Sequence, residues 1–287
     1  MGEVVNDQGG LPMLLGVMGD PIIHSKSPVM HGAALAACGL DGKYVPLHVQ
    51  ASHLKEAVQG IRALGFRGVN VTVPHKVEVM KYLDLLDDGA KYIGAVNTIV
   101  NDNGVLTGYN TDGIGYIRSL QEEVVPHLSG KSVLVLGSGG AARGIIYALL
   151  QENPGKVIVA NRTQQKALDL AAEWAHLGNI YGCAMNNVLE YTKDIDIVIN
   201  TTSVGMFPNV EEMPIDPNLL PDGIVVSDLI YNPLKTELLR HAELKGCQIH
   251  NGLGMFLYQG AYAFEYWTGR SAPIDVMRTA VLGSMNL

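Results

Sequence analysis

From Leu14 onward, short apolar runs alternate with stretches in which apolar residues recur at three- and four-residue spacing. In the first part of the chain the runs predict strands at 14–18, 44–49, 68–73 and 95–101, with helices at 31–38, 53–64 and 76–86 between them. Such alternation points to βαβ units and a mainly parallel sheet. A second series opens near residue 131: "SVLVLGSGGAARGIIYALL" reads as a buried strand, a glycine turn and an apolar helix. "KVIVANRT", "IDIVIN" and "GIVVSDLIY" add three more strands. Two series in tandem predict an α/β protein of two domains. The last segment, helical in pattern and rich in aromatics, is expected to return to the first, giving 1–112 plus 253–287 as one domain and 113–252 as the other.

Composition narrows the partners. At 47% hydrophobic and 17% charged residues, the 287-residue chain is globular and long enough for ample core. Its net charge of −8 argues against a nucleic-acid partner, so cations for an anionic ligand must be concentrated locally. Cys38, Cys183 and Cys247 are far apart with no CxxC pair, which suits reduced thiols in the cytoplasm and no metal site. The opening "MGEVVNDQGG" lacks a signal-peptide pattern and carries Asn6 where myristoylation wants Ser or Thr; it reads as a loose tail. No run of about 18 apolar residues predicts a membrane span.

Gly137, Ser138, Gly139, Gly140, Ala141 and Ala142 fit G-x-G-x-x-[GA] between a predicted strand and helix. There the first glycine permits a tight turn, the second lets backbone approach a pyrophosphate, and the helix N-terminus supplies amide donors. The strand–turn–helix setting is what turns a common glycine string into a dinucleotide site. An NAD site would carry Asp or Glu about 20 residues further on, to hold the ribose 2′-hydroxyl. Here the strand ends Ala160-Asn161-Arg162-Thr163 without an acid, and Lys166 follows. A guanidinium can pair with a 2′-phosphate through two hydrogen bonds, and Thr163 can add a hydroxyl, so the reading is NADP. The competing reading is a solvated helix start in which Arg162 and Lys166 bind nothing.

A hydride transferred between an alcohol and a nicotinamide needs a partner for the hydroxyl proton. Outside the dinucleotide half the candidates are Lys76 in "NVTVPHK", Asp112 in "GYNTDGIG", and His24, His31 and His75. Lys76 and Asp112 both follow predicted strands, where α/β sheets place ligands. With Pro74 as first helical residue, Lys76 falls in a first turn whose dipole disfavours an ammonium, while a neighbouring carboxylate favours one. These residues leave open whether Lys76 moves the proton itself or remains an ammonium that stabilises the alkoxide while Asp112 passes the proton. A surface ion pair is the plain alternative. The three histidines read as loop-ordering residues.

Nine motifs in order give the chain a resemblance. "GDPIIHSKSPVMH" at 19–31, "NVTVPHK" at 70–76, "GAVNT" at 94–98 and "GYNTDGIG" at 108–115 resemble the shikimate dehydrogenase family. "GSGGAARG" at 137–144, "NRT" at 161–163, "NTTSVGM" at 200–206, "DLIYNP" at 228–233 and "NGLGMFLYQG" at 251–260 continue it. The resemblance implies an N-terminal substrate domain, a C-terminal Rossmann domain, and reversible NADPH-dependent reduction of 3-dehydroshikimate to shikimate in aromatic amino-acid biosynthesis. It implies that Ser25 and Ser27 hold the substrate carboxylate, that Thr72, Asn97, Tyr231 and Gln259 contact substrate, and that Lys76 and Asp112 form the catalytic pair. For the cofactor it implies the 137–141 turn, Asn161 to Lys166, Thr201, Ser203, Leu229, Gly252 and Met255, with Asp88 on a weaker spacing argument. Two positions depart from the pattern: Gly32 stands where the family carries Asn, and Lys166 where many members carry arginine.

Other features have plainer readings. Met206 and Met255 suit packing as well as cofactor contact, and Phe256, Tyr262, Phe264 and Trp267 read as core. Tyr231 divides between substrate contact and a cap on its strand. A quinate/shikimate dehydrogenase with relaxed cofactor use, or a non-catalytic NADP(H)-sensing regulator, are the alternative functions. A small-molecule substrate and a monomer or homodimer complete the expectation.

Overall fold

The computed structural model describes residues 11–285, so the loose tail expected at the N-terminus lies outside the described residues. The chain divides into two units: Met1–Thr111 with Leu257–Leu287, and Asp112–Phe256.

Unit 1 runs β1 (Met13–Gly19), α1 (Ser27–Ala37), β2 (Gly42–His48), α2 (Leu54–Ala63), β3 (Gly68–Val71), β4 (Leu85–Leu86), α3 (Asp88–Ile93), β5 (Thr98–Asp102) and β6 (Val105–Tyr109). Its sheet has the order β2-β1-β3-β5-β6-β4. β1 pairs in parallel with β2 and β3, and β4 with β6, but β5 is antiparallel to both β3 and β6. The run expected at 95–101 is therefore the first arm of a hairpin. Its turn is Asn103-Gly104, both at positive φ (53° and 92°), the Asn-Gly pair that suits a right-twisted two-residue loop. The core of this unit gathers Met18, Val69, Val71, Ile99 and Leu106 with Leu54, Val58 and Ile61 of α2.

The helix expected over 76–86 is absent. Residues 72–77 form turns, followed by a short 3₁₀-helix, Glu78–Tyr82, and then β4. Lys76 is thus not in the first turn of an α-helix, and the dipole effect expected on its amine has no helix behind it.

On α1 the buried face is Ser27, Met30, His31, Ala34 and Leu35, the three- and four-residue spacing of one helical side. His31 does not order a loop. It is fully buried and stacks on Tyr44 with ring centroids 4.4 Å apart, beside Trp267 at 5.4 Å. Neither ring nitrogen has a hydrogen-bond partner. Burial pushes its pKa from 6.5 down to about 3, because a charged imidazole there would lose its hydration without compensation. The unfolded chain therefore binds a proton that the folded one refuses between these two values, and stability falls as pH drops below 6.5. At pH 5 the cost from this one residue is about 2 kcal/mol, from 1.5 pH steps at about 1.4 kcal/mol each. Urea unfolding at pH 7 and pH 5 is expected to show that loss in the native protein and to show it reduced by about that amount in His31→Leu. Equal losses in both proteins would place the acid sensitivity elsewhere.

Unit 2 runs α4 (Asp112–Glu123), β7 (Ser132–Leu136), α5 (Gly140–Gln151), β8 (Lys156–Asn161), α6 (Gln164–Trp174), β9 (Ile180–Ala184), β10 (Ile197–Asn200), β11 (Val225–Asp228), α7 (Glu237–Leu244) and β12 (Gln248–His250). All strand pairs are parallel, in the order β12-β11-β10-β7-β8-β9. Val133, Val135, Val157, Val159, Ile197 and Ile199 face one core with α4, α5 and α6. Leu134, Leu136, Ile158, Val198 and Val226 face the other with α7. Both faces are covered, which is why these strands read as unbroken apolar runs and not as alternation. Helix α8 (Leu253–Thr268) crosses the division between the units, and α9 (Ile274–Gly283) packs on α1 in unit 1. Phe264 and Trp267 are fully buried, as core residues should be.

Candidate active site

In unit 1 the substrate-side motifs meet at one end of the sheet. β1 and β3 are parallel neighbours in register at Met18 and Val71, so the segments that follow them leave side by side. One carries Ser25 and Ser27, with the Ser27 amide donating to Ser25 Oγ at 3.3 Å. The other carries Thr72 and Lys76. Because β5 is antiparallel to β3, its beginning, not its end, reaches this place: the Val71 amide donates to Asn97 O at 2.8 Å. The Val96 amide then donates to Lys76 O at 2.8 Å, fixing the backbone of the lysine turn.

Asn97 also holds the chain on its far side. Its Oδ1 accepts from the Thr111 amide at 2.8 Å, and its Nδ2 donates to Thr111 Oγ1 at 2.9 Å. Lys76 and Thr111 are therefore both tied to the dipeptide 96–97, and Asp112 is the next residue along the chain. His75 is buried and gives its Nε2 proton to Val49 O at 2.6 Å, since a carbonyl can only accept; it anchors the turn carrying Lys76, in keeping with a loop-ordering role. His24 is exposed.

Tyr44 adds a residue that sequence reading missed. Its hydroxyl donates to Asn70 Oδ1 at 2.8 Å, and Asn70 Nδ2 in turn donates to Asn97 O. Burial raises the phenol pKa well above its usual value, and Ser27 is a hydrogen-bond partner. The ring thus lies along α1 with its body on His31 and its hydroxyl by Ser27. No motif marks Tyr44, because the contacts come from α1 and β3. Gln259 lies in the unit 1 part of α8 and is half-buried; Gly32 is exposed, and a Cβ there would meet nothing.

In unit 2 the strand order reverses between β7 and β10, the point where open α/β sheets bind ligands at their carboxyl ends. The glycine turn follows β7 at that point. Gly137 has φ +110°, and a Cβ would stand 2.6 Å from Thr201 Oγ1, so only glycine fits. Thr201 ties the two strand ends together by donating from Oγ1 to Leu136 O at 2.7 Å. At Gly139 and Gly140 a Cβ would meet nothing; the backbone there is open, and no side chain caps the first turn of α5. Open glycine backbone with uncapped amides fits a pyrophosphate.

Arg162, Thr163 and Lys166 follow β8, next in the sheet, and are exposed; neither cation's side chain pairs with another described residue. Two uncommitted cations with no carboxylate at this strand end fit a 2′-phosphate. Asn161 closes its own turn, Nδ2 donating to Thr163 O at 3.0 Å. Ser203 and Met206 are exposed, so packing does not account for Met206, whereas Met255 packs on the unit 2 core. Tyr231 stacks on Phe256 at 4.8 Å, and a Cβ on Gly252 would collide with the Leu229 carbonyl, which pins the start of α8 to the loop after β11. Asp88 belongs to unit 1, pairs with Lys91 of its own helix at 2.9 Å and is exposed.

Asp112, at the start of α4, and Asp228, at the end of β11, are both buried carboxylates of unit 2, and Asp228 is the fully buried one. Burial pushes its pKa above the usual range against three donors, the Ile230 amide, Thr236 Oγ1 and Asn200 Nδ2. Asn200 Oδ1 accepts from Thr202, so this network sets the loop that carries Thr201 and Ser203. Among the described residues, no group of three or more His, Cys, Asp or Glu is placed to hold a metal ion, and no helix is long and apolar enough to cross a membrane.

A doubly wound parallel sheet with an open glycine turn at its switch point, joined to an α/β unit bearing Lys76, defines an oxidoreductase of the nicotinamide dinucleotide class. Residues 17–99 match the family described as "Shikimate dehydrogenase substrate binding domain", residues 119–210 "Shikimate / quinate 5-dehydrogenase", and residues 252–282 "Shikimate 5'-dehydrogenase C-terminal domain". The "Shikimate dehydrogenase (NADP(+))" of Geobacillus kaustophilus is 45% identical over 273 residues, covering 94% of this chain and 98% of that one. The chain belongs to the shikimate dehydrogenase family. A shikimate dehydrogenase solved in complex with NADP+ superposes with a TM-score of 0.90 at 41% identity, covering 100% of this chain and 99% of that one. The Thermus thermophilus enzyme, solved with NADP(H) and shikimate, gives 0.87 at 36% identity, covering 95% and 100%.

Proposed function

We propose that this protein catalyses the reversible NADPH-dependent reduction of 3-dehydroshikimate to shikimate, a step of aromatic amino-acid biosynthesis. The observation that carries this reading is the 45% identity, over 94% of this chain, to a protein named as an NADP(+) shikimate dehydrogenase, with the motifs of both units standing on residues able to do their part. Unit 1 binds the substrate and unit 2 the cofactor. The hydroxyls of Ser25 and Ser27 hold the carboxylate, which needs donors but no buried cation. Thr72, Asn97, Tyr231 and Gln259 complete the substrate contacts. When bound, NADPH supplies the hydride.

The chain's own work is binding and proton handling. Lys76 and Asp112 deliver the proton that the carbonyl oxygen needs on becoming a hydroxyl, and accept it in reverse. Arg162, with Lys166 and Thr163, holds the 2′-phosphate, and the amides at 139–141 hold the pyrophosphate. Asn161, Thr201, Ser203, Leu229, Gly252 and Met255 border the same cofactor, and Asp88 is the weakest member of the set. The protein works in the cytoplasm as a monomer or homodimer on this small-molecule substrate.

A four-way assay tests the reading: shikimate or quinate with NADP+ or NAD+, followed by nicotinamide absorbance. Turnover is expected to be highest by far with shikimate and NADP+. Comparable rates with quinate or NAD+ would support the relaxed quinate/shikimate enzyme, and no turnover in any arm would support the sensing regulator.

A further inference from the structure

Asp112, Tyr116, Ser119 and Glu123 recur along α4 at four-, three- and four-residue spacing and so share one face of the helix. Beneath that face lies a buried chain of hydrogen bonds. The Tyr116 hydroxyl donates to Ser227 Oγ at 2.9 Å; Ser227 Oγ meets His250 Nδ1 at 2.8 Å; His250 Nε2 meets Ser119 Oγ at 2.8 Å. Glu123 Oε2 stands 3.7 Å from His250 Nε2, and a Cβ on Gly254 would collide with Ser119 Oγ. Ser119 and Ser227 are fully buried, and His250 is nearly so.

A neutral imidazole carries one donor and one acceptor nitrogen, so it donates to one of the two serine hydroxyls and accepts from the other, with its Nε2 side toward the Glu123 carboxylate. Burial lowers the His250 pKa to about 4, so the ring is the neutral form this requires. At the other end of α4 a second anchor exists: a Cβ on Gly113 would collide with the Gly144 carbonyl, so the first turn of α4 lies against the backbone of α5. Two anchors, one at Gly113 and one at Ser119, set the tilt and rotation of a 12-residue helix whose first residue is Asp112.

We propose that His250 is a positioning residue for the reaction, acting through Ser119 and Ser227 to hold α4 in the orientation that aims Asp112. The proposal rests on the reading of Asp112 as half of the proton-handling pair. Apolar packing could fill the space of His250, but it would not fix distance and direction to two hydroxyls as a bridging imidazole does. A shift of about 1 Å in a catalytic group can cost about 10²-fold in rate.

His250→Leu is expected to lower kcat for shikimate oxidation by about 10- to 100-fold, with KM for shikimate and NADP+ within about threefold. His250→Gln, which keeps a donor and an acceptor, is expected to recover most of that loss. In an Asp112→Asn background, His250→Leu is expected to cost less than about twofold more, because the group it aims is gone. The full His250 effect persisting in that background would overturn the proposal, as would native kcat in His250→Leu. If His250→Leu does not fold, Ser119→Ala decides with the same cycle, and native kcat there overturns the proposal too. Asp112→Asn with unchanged kcat overturns the reading of Asp112 itself, whereas a large Asp112→Asn effect beside a silent His250→Leu overturns the positioning role alone.

Discussion

Lys76→Ala is expected to lower kcat by about 10²- to 10⁴-fold, the span of a general acid–base contribution, while substrate KM and NADP affinity change only a few-fold. Two holds on the turn do not pass through the lysine side chain. The backbone contact of residue 76, its carbonyl accepting from Val96, survives the substitution, and so does the anchor of the turn, His75 on Val49 O. Lys76→Arg separates the two ways the lysine could work. A guanidinium does not give up its proton at any accessible pH, so arginine fails as completely as alanine if Lys76 itself moves the proton. It retains part of the rate if an ammonium is needed only to stabilise the alkoxide. An alanine variant that loses affinity and keeps kcat would make Lys76 a binding residue.

Arg162→Ala is expected to weaken NADP binding by roughly 10- to 100-fold, the worth of a charge-assisted pair at about 1.5–3 kcal/mol, and to leave NAD within about twofold. Arg162 is exposed and pairs with no described side chain, so its removal disturbs nothing in the fold. The difference between the two cofactors is one phosphate, and only that phosphate can report the change. NADP affinity of the native protein should also fall with added salt more steeply than NAD affinity, and the variant should flatten the difference. Equal losses for both cofactors would move Arg162 away from the 2′-phosphate. Lys166 keeps charge at the site but lacks the planar fork, so it cannot stand in fully for the arginine.

The cofactor side of this protein was written locally. A strand buried on both faces is an apolar run, the turn one residue past its end takes φ +110° at Gly137, and the cations lie just after the next strand. Each of those facts concerns residues within about ten positions of one another, so pattern alone reaches them. The Asn103-Gly104 turn was equally local and signals the hairpin that the apolar run at 95–101 concealed.

What pattern could not reach depends on residues far apart in the chain. Pro74 looked like a helix start, but the segment after it is held as a turn by Val49 and Val96, about 25 and 20 positions away, and those contacts outweigh local propensity. His31 looked like a loop residue beside a serine motif; Tyr44 and Trp267 make it a neutral, buried ring. His250 carries no motif, and its partners Ser119 and Ser227 stand 131 and 23 positions from it. Periodicity and turn chemistry record how a residue relates to its chain neighbours, and so they find the strands buried on both faces and the glycine turn, but not the segment after Pro74, where distant contacts replace the expected helix. Which polar groups meet, and therefore how Lys76 and Asp112 are held, follows from strand direction and helix packing, which act across distances that no local pattern encodes.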